Sequence, residues 1–178
     1  SYQGSLELNK LGIDCDYFKG PLSGQLAIEE GHNFPLLKGN IEIADAMLNI
    51  PLIAINTGNS PDLEMDMTIS LGKNVRLYNP VLYDLIVTGA ATFHGTVSHP
   101  IPSGQFEALR GSVRYLDTKF NVTKGQADFS QADSFIPYMM VEGNGRVGQY
   151  TIMLTLRGPA DNMNMLLRSQ PPLTRQQI

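Results

Sequence analysis

Residues 109–122 read LRGSVRYLDTKFNV, and this stretch decides the fold class because apolar and polar side chains alternate on both sides of a short polar turn. Such a period of two is typical of a β-strand with one dry face and one wet face. Residues 37–50, LKGNIEIADAMLNI, repeat the pattern, and GSLEL at residues 4–8 is a shorter echo. The repeated unit is predicted to be a β-hairpin that starts at Gly111 and turns at Asp117.

Composition and charge exclude several classes of protein. The chain has 178 residues, of which 42% are hydrophobic and 17% charged, so a folded domain is expected rather than disorder. A net charge of −4 and a pI near 5.3 predict no binding to nucleic acid or to an anionic membrane surface. Cys15 is the single cysteine and is expected to be a buried thiol without a disulfide.

The pattern along the chain predicts about a dozen short strands and no complete amphipathic helix. The clearest strand covers residues 63–71, where five apolar residues alternate with polar ones. Residues 11–18 have the same period, whereas the prolines and glycine of residues 97–105 predict a loop. Thr174 and Gln177 resemble a capping box, so a short helix is expected to start at the C-terminus. Both ends look cut from a longer polypeptide, and neither a signal peptide nor a membrane helix is recognisable.

The predicted class is therefore all-β. A mostly antiparallel sheet is expected because the links between strands are too short for crossover helices. Each strand has one apolar face and no helix to cover it, so the sheet must pack on a second sheet, close into a barrel, or curl into a trough. Periodicity does not choose among these three.

No catalytic apparatus is recognisable, and the chain is not expected to be an enzyme or to bind a cofactor or metal. The histidines lack the spacing of metal ligands and are expected on loops or the wet face: His32, His94 and His99. Two carboxylate pairs, Asp14 with Asp16 and Glu64 with Asp66, occupy the polar phase of strands and are expected to be solvated.

Methionine is the unusual residue, with eight in the chain and no tryptophan. Most of the methionines fall in predicted strands, where this residue is not favoured. Flexible thioethers suit an apolar surface that accommodates variable ligands, and ordinary core filling is the alternative.

Four stretches, taken in order, resemble the C-terminal domain of the TamB family. They are LEMDMTISLGKNVRLYNP (63–80), DLIVTGAATFHG (84–95), FEALRGSVRYLDTKFNVTKGQADFSQ (106–131) and YTIMLTLRGPADNMNMLLRSQPPLTRQQI (150–178). The resemblance implies a single trough-shaped segment, similar to AsmA-type bridge-like lipid-transfer proteins. Residues 1–60 would be an N-terminal repeat portion, 61–170 the TamB-like C-terminal domain, and 171–178 the start of a truncated helix.

The resemblance also implies a function. The chain would be a periplasmic segment, in a diderm bacterium, of a protein anchored in the inner membrane outside this fragment. It would shield phospholipid acyl chains between the inner and outer membranes. A linked role in outer-membrane protein or autotransporter assembly would involve a barrel partner of the TamA type.

An apolar strip of strand residues is predicted to line the trough. Its members are Leu63, Met65, Met67, Ile69, Leu71, Leu85, Val87, Val113, Tyr115, Phe120, Val122, Phe129, Ile152, Leu154 and Leu156. Two alternatives stay open at this stage. One is a chaperone-like module that receives strands of nascent outer-membrane proteins. The other is a closed β-sandwich of a surface protein.

Overall fold

A computed structural model describes residues 3–49 and 62–172, and every regular element in those ranges is a β-strand. No helix in those ranges has the length and apolar character needed to cross a membrane. The strands are β1 Gln3–Asp14, β2 Phe18–Glu30, β3 Pro35–Ile43, β4 Met47–Leu48, β5 Glu64–Asn79, β6 Tyr83–Thr96, β7 Pro100–Tyr115, β8 Thr118–Phe129, β9 Tyr138–Val147, β10 Tyr150–Pro159 and β11 Asn164–Gln170.

All eleven strands belong to one sheet. Its order is β1-β2-β3-β5-β6-β7-β8-β9-β10-β11, and β4 pairs with β2 and β5. Neighbours are antiparallel except that β5 runs parallel to both β3 and β4. The predicted class, an all-β and mostly antiparallel sheet that curls, is confirmed.

The predicted hairpin at residues 37–50 is wrong, although the similar stretch at 109–122 does form one. Strands β3 and β4 run in the same direction and share the neighbours β2 and β5, so they are two pieces of one interrupted strand. Asp45 lies at the interruption with a φ of 52°, donates its N–H to the Lys73 carbonyl at 2.9 Å, and accepts from Asn74 at 2.7 Å. The chain continues straight there because both neighbouring strands remain available for pairing.

Two further local expectations are wrong. Strand β1 ends at Asp14, and Cys15 is exposed in a turn closed by hydrogen bonds to Phe18, because the polar Asp14 and Asp16 favour a turn. Strand β7 begins at Pro100, inside the predicted loop at 97–105. Proline has no N–H to donate to a neighbouring strand. Prolines are tolerated there because β8 pairs with β7 only from Gly104 onward, so no hydrogen bond to β8 is lost. The predicted C-terminal helix start at Thr174 lies outside the described residues.

Irregularities in the ladders lie along one line across the sheet. They fall at residues 9–10 of β1, 44–46 between β3 and β4, 72–74 of β5, Leu109 of β7 and Thr123 of β8. A bulge bends its strand and increases the local twist. Successive bulges lie beside one another from β1 to β8 and bend that part of the sheet along one line, which we call the bulge line; the β9–β10 and β10–β11 ladders are regular, and the line is continued across them by register.

The buried core follows the bulge line. One cluster centres on Val75, which is fully buried, and a second on Phe120 and Leu154, each 2% exposed. Half-buried Val113 packs against both clusters. A single sheet with no second layer in the described residues therefore buries side chains by curling around them.

Glu64 ties the turn between β2 and β3 to the start of β5. Its carboxylate accepts backbone N–H groups from His32 at 3.1 Å, Asn33 at 2.9 Å and Phe34 at 3.4 Å. The Asn33 and then the His32 hydrogen bonds hold the pKa of Glu64 below its ordinary value of 4.5.

We expect Glu64→Gln to destabilise the protein more at neutral pH than in acid. A carboxylate with a lowered pKa stabilises the fold above its unfolded-state pKa, and that contribution is lost as the pH falls through the lowered value. Chemical denaturation of wild type and variant at pH 7 and pH 3 measures the difference. Exposed Glu7→Gln is the control; a Glu64→Gln deficit of equal size at both pH values contradicts the assignment.

Candidate functional site

Strand register places the predicted trough residues on one side of the sheet. Directly paired residues project from the same side, and the ladder leads from Met67 to Phe93 and then to Pro102. The strand members that share this side are Met65, Met67, Ile69, Leu71, Leu85, Val87, Val113, Tyr115, Phe120, Val122, Phe129, Ile152, Leu154 and Leu156. Leu63 precedes β5, where its carbonyl accepts the Val97 N–H at 3.0 Å. We call this side the apolar face.

Exposure varies along the apolar face. Near the bulge line it is dry, with Leu71 9% and Val87 8% exposed. Toward the first strands it opens to water, with Leu6 57% and Ile28 47% exposed, and Met165 on the last strand is 42% exposed. The face therefore combines a packed centre with accessible apolar ends.

Four phenylalanines close part of the apolar face. Phe129 packs edge-on against Phe93 and Phe106, with ring centroids 5.7 and 5.4 Å away, and Phe135 lies 5.9 Å from Phe93. Phe135 comes from the loop between β8 and β9, which is fixed by the Asp133 N–H donating to the Pro100 carbonyl at 2.8 Å. The loop thereby covers one part of the apolar face with an aromatic ring.

Sequence reasoning missed several members of the apolar face. Phe106 follows the segment predicted as a loop, and Phe135 lies in a proline-containing stretch without periodicity. Ile43 and Leu22 were visible as alternating apolar residues, but the predicted lining begins only at Leu63. Pairing of β3 with β5 brings them onto the same face.

Charge is divided unequally by the bulge line. The half that carries the β1–β2, β5–β6, β7–β8 and β9–β10 turns has nine Lys and Arg against five Asp and Glu, and we call it the basic half. It comprises residues 10–23, 44–49, 72–88, 109–123, 143–154 and 167–170. The other described residues form the acidic half, with three Lys and Arg against twelve Asp and Glu.

The side of the sheet opposite the apolar face, the outer face, carries a polar depression of about 190 Å³ in the basic half. Arg76 donates two hydrogen bonds of 2.7 Å to Asp84 and lies 4.5 Å from the ring centroid of Tyr78. The Arg76 hydrogen bond lowers the pKa of Asp84. Arg114 and Lys119, paired across β7 and β8, line the same depression.

Side chains suited to bond-making chemistry are not brought together. No group of three or more His, Cys, Asp or Glu side chains that could hold a metal occurs in residues 3–49 and 62–172. His94 lies 3.1 Å from Asp66 and His32 lies 3.8 Å from Glu64, both as isolated pairs. This arrangement can bind apolar ligands on one face and charged groups on the other.

The fold and the face define a class: a β-sheet protein whose strands curl around a continuous apolar lining. Comparison with protein families then places the chain, because the model of the TamB C-terminal domain matches residues 1–178. The chain belongs to the TamB C-terminal domain family, which is associated with the cell envelope and with outer-membrane assembly machinery. A comparison with curated proteins found no match.

The packed centre predicts that truncating a buried side chain on the apolar face lowers the free energy of unfolding far more than truncating an exposed one on the outer face. Phe120→Ala removes a ring that is 2% exposed and should lower the free energy of unfolding by about 3–5 kcal/mol. Met153→Ala, on the outer face at 42% exposure, should change it by less than about 0.5 kcal/mol. Urea denaturation measures both, and similar losses contradict this assignment of sides.

Proposed function

We propose that this chain is a periplasmic segment that shields lipid acyl chains on its apolar face during phospholipid transport between the inner and outer membranes. The observation that carries the proposal is the continuity of the face: register joins it from β1 to β11 in one sheet. Burial of each acyl methylene from water contributes roughly 0.8 kcal/mol, so no bond-making group or cofactor is needed.

The exposure gradient supports the same function. Acyl chains need apolar surface that water can reach in the empty protein, and Leu6, Ile28 and Met165 provide it at the two ends of the face. Met65 on β5 and Met139 on β9 add flexible side chains along the way. We also propose a linked role in outer-membrane protein or autotransporter assembly with a partner of the TamA type; its support is the family's general association with outer-membrane assembly machinery.

Placing one charge on the apolar face should remove bound lipid. Met65→Arg brings a guanidinium onto a half-buried position of that face, and we expect several-fold less lipid after purification without detergent. Mass spectrometry of extracted lipids measures the loss.

The control is Met140→Arg, the same substitution at another half-buried strand position of the acidic half, on the outer face. Circular dichroism and thermal melting show whether both variants fold. Equal lipid loading in two folded variants contradicts lipid carriage, as does the absence of lipid from the wild-type protein.

A second candidate is a chaperone-like module that accepts strands of unfolded outer-membrane proteins. The supporting observation is that β1 and β11 each pair on one side only within the described residues. Backbone N–H and C=O groups along the other side of an edge strand can pair with an added strand. The closed two-sheet sandwich has no such support, because the described strands form one sheet.

Crosslinking distinguishes this candidate. A photo-crosslinker at Leu166, on edge strand β11, should capture an unfolded outer-membrane barrel protein several-fold more often than one at Met153 on β10. The two positions share the outer face and are 38% and 42% exposed. Equal capture at both positions contradicts edge pairing.

A further inference from the structure

We infer that three hairpin turns of the basic half dock this protein onto an anionic phospholipid surface. The turns lie between β5 and β6 (residues 80–82), β7 and β8 (116–117), and β9 and β10 (148–149), and together we call them the docking rim. The inference goes beyond lipid carriage, because the surface involved comprises the turns and the outer face rather than the apolar face.

Exposed apolar side chains mark the docking rim. Leu116 is 82% exposed, Val81 is 68% exposed, and Val147, which precedes the third turn, is 49% exposed. None of these three contributes to the two buried clusters. Apolar groups that protrude together at one edge are typical of a surface that enters another apolar phase.

Leu116 is unfavourable for the turn itself. It has a φ of 51°, in the left-handed region where two-residue hairpin turns favour asparagine or glycine. A leucine there gains neither conformational stability nor burial within the chain. A contact outside the protein accounts for the residue type.

Basic side chains form a row just behind the turns. Arg114 pairs with Lys119 across β7 and β8. The β8–β9 ladder ends at the pair Asn121 and Asn144, and extending its register by two residues would set Arg146 opposite Lys119. Like charges side by side on a sheet repel one another, and none of the three lies within 4.0 Å of a carboxylate oxygen among residues 3–49 and 62–172. The charge of Lys119 contributes only the smallest part of the lowering of the Asp84 pKa, after the Arg76 hydrogen bond and charge. The nearby Asp84 is already bonded to Arg76. Lipid phosphates would neutralise the row.

The division of charge determines the orientation. The basic half would face an anionic surface, and the acidic half would be repelled from it, so the charge distribution directs the docking rim toward the lipid. An acidic protein would satisfy the basic row but would not account for the exposed apolar residues within two of the turns and directly before the third. The combination favours a membrane.

Vesicle sedimentation with the purified chain tests the inference. We expect binding to mixed phosphatidylglycerol and phosphatidylcholine vesicles, little binding to phosphatidylcholine alone, and weakening by salt. Combined replacement of Arg114, Lys119 and Arg146 by serine should lower the vesicle partition coefficient at least about tenfold. The control variant replaces Lys38, Lys124 and Arg157 by serine, which removes the same charge from the acidic half and should bind like wild type.

Leu116→Asn separates docking from folding. Asparagine suits the left-handed turn, so the melting temperature should stay the same or rise while vesicle binding falls several-fold. Equal loss in the two triple variants, equal binding to both kinds of vesicle, or full binding by Leu116→Asn overturns the inference. Met65→Arg should bind vesicles like wild type. Lipid loading of the purified protein therefore reports on lipid carriage, and vesicle binding reports on docking.

Discussion

One constraint governs this structure: a single sheet with one apolar face must remove that face from water without a second layer in the described residues. The bulge line meets the constraint by bending neighbouring strands at the same level. Backbone positions that only a glycine tolerates assist the curvature. At Gly111, with a φ of 137°, an added Cβ would collide with the Asp84 carbonyl oxygen. The most buried side chains, Val75 and Phe120, accordingly lie close to the bend.

Strand class and sidedness could be predicted from the sequence because a period of two is a local signal. Every strand residue proposed for the lining shares one side in the ladder. Register between distant segments is not a local signal, so the parallel pairing of β3 with β5 was missed. The contribution of Ile43 and Leu22 to the apolar face was missed for the same reason. The same limit explains the error at Asp45: an aspartate in the left-handed region fits a turn or a bulge, and only the neighbouring strands decide which forms.

The methionine argument from composition is only partly supported by the positions of the side chains. Register places Met65, Met67 and Met139 on the apolar face, where adaptable side chains suit variable lipid. Met140 and Met153 project from the outer face instead, away from the proposed lipid-binding side. Composition counts both groups together, whereas the proposed role in accommodating lipid applies only to the methionines of the apolar face.

Net charge conceals the distribution of charge for a related reason. A total of −4 predicted no attraction to an anionic membrane surface, yet that total combines a basic half and a strongly acidic half of one curved sheet. At physiological ionic strength the screening length is about 8 Å, so a surface responds to the charges nearest to it rather than to the sum over the chain. Arg114, Lys119 and Arg146 come from three neighbouring strands, so only the order of the sheet brings them to one edge. A lipid surface at the docking rim would therefore meet a basic, apolar edge on a protein that is acidic overall.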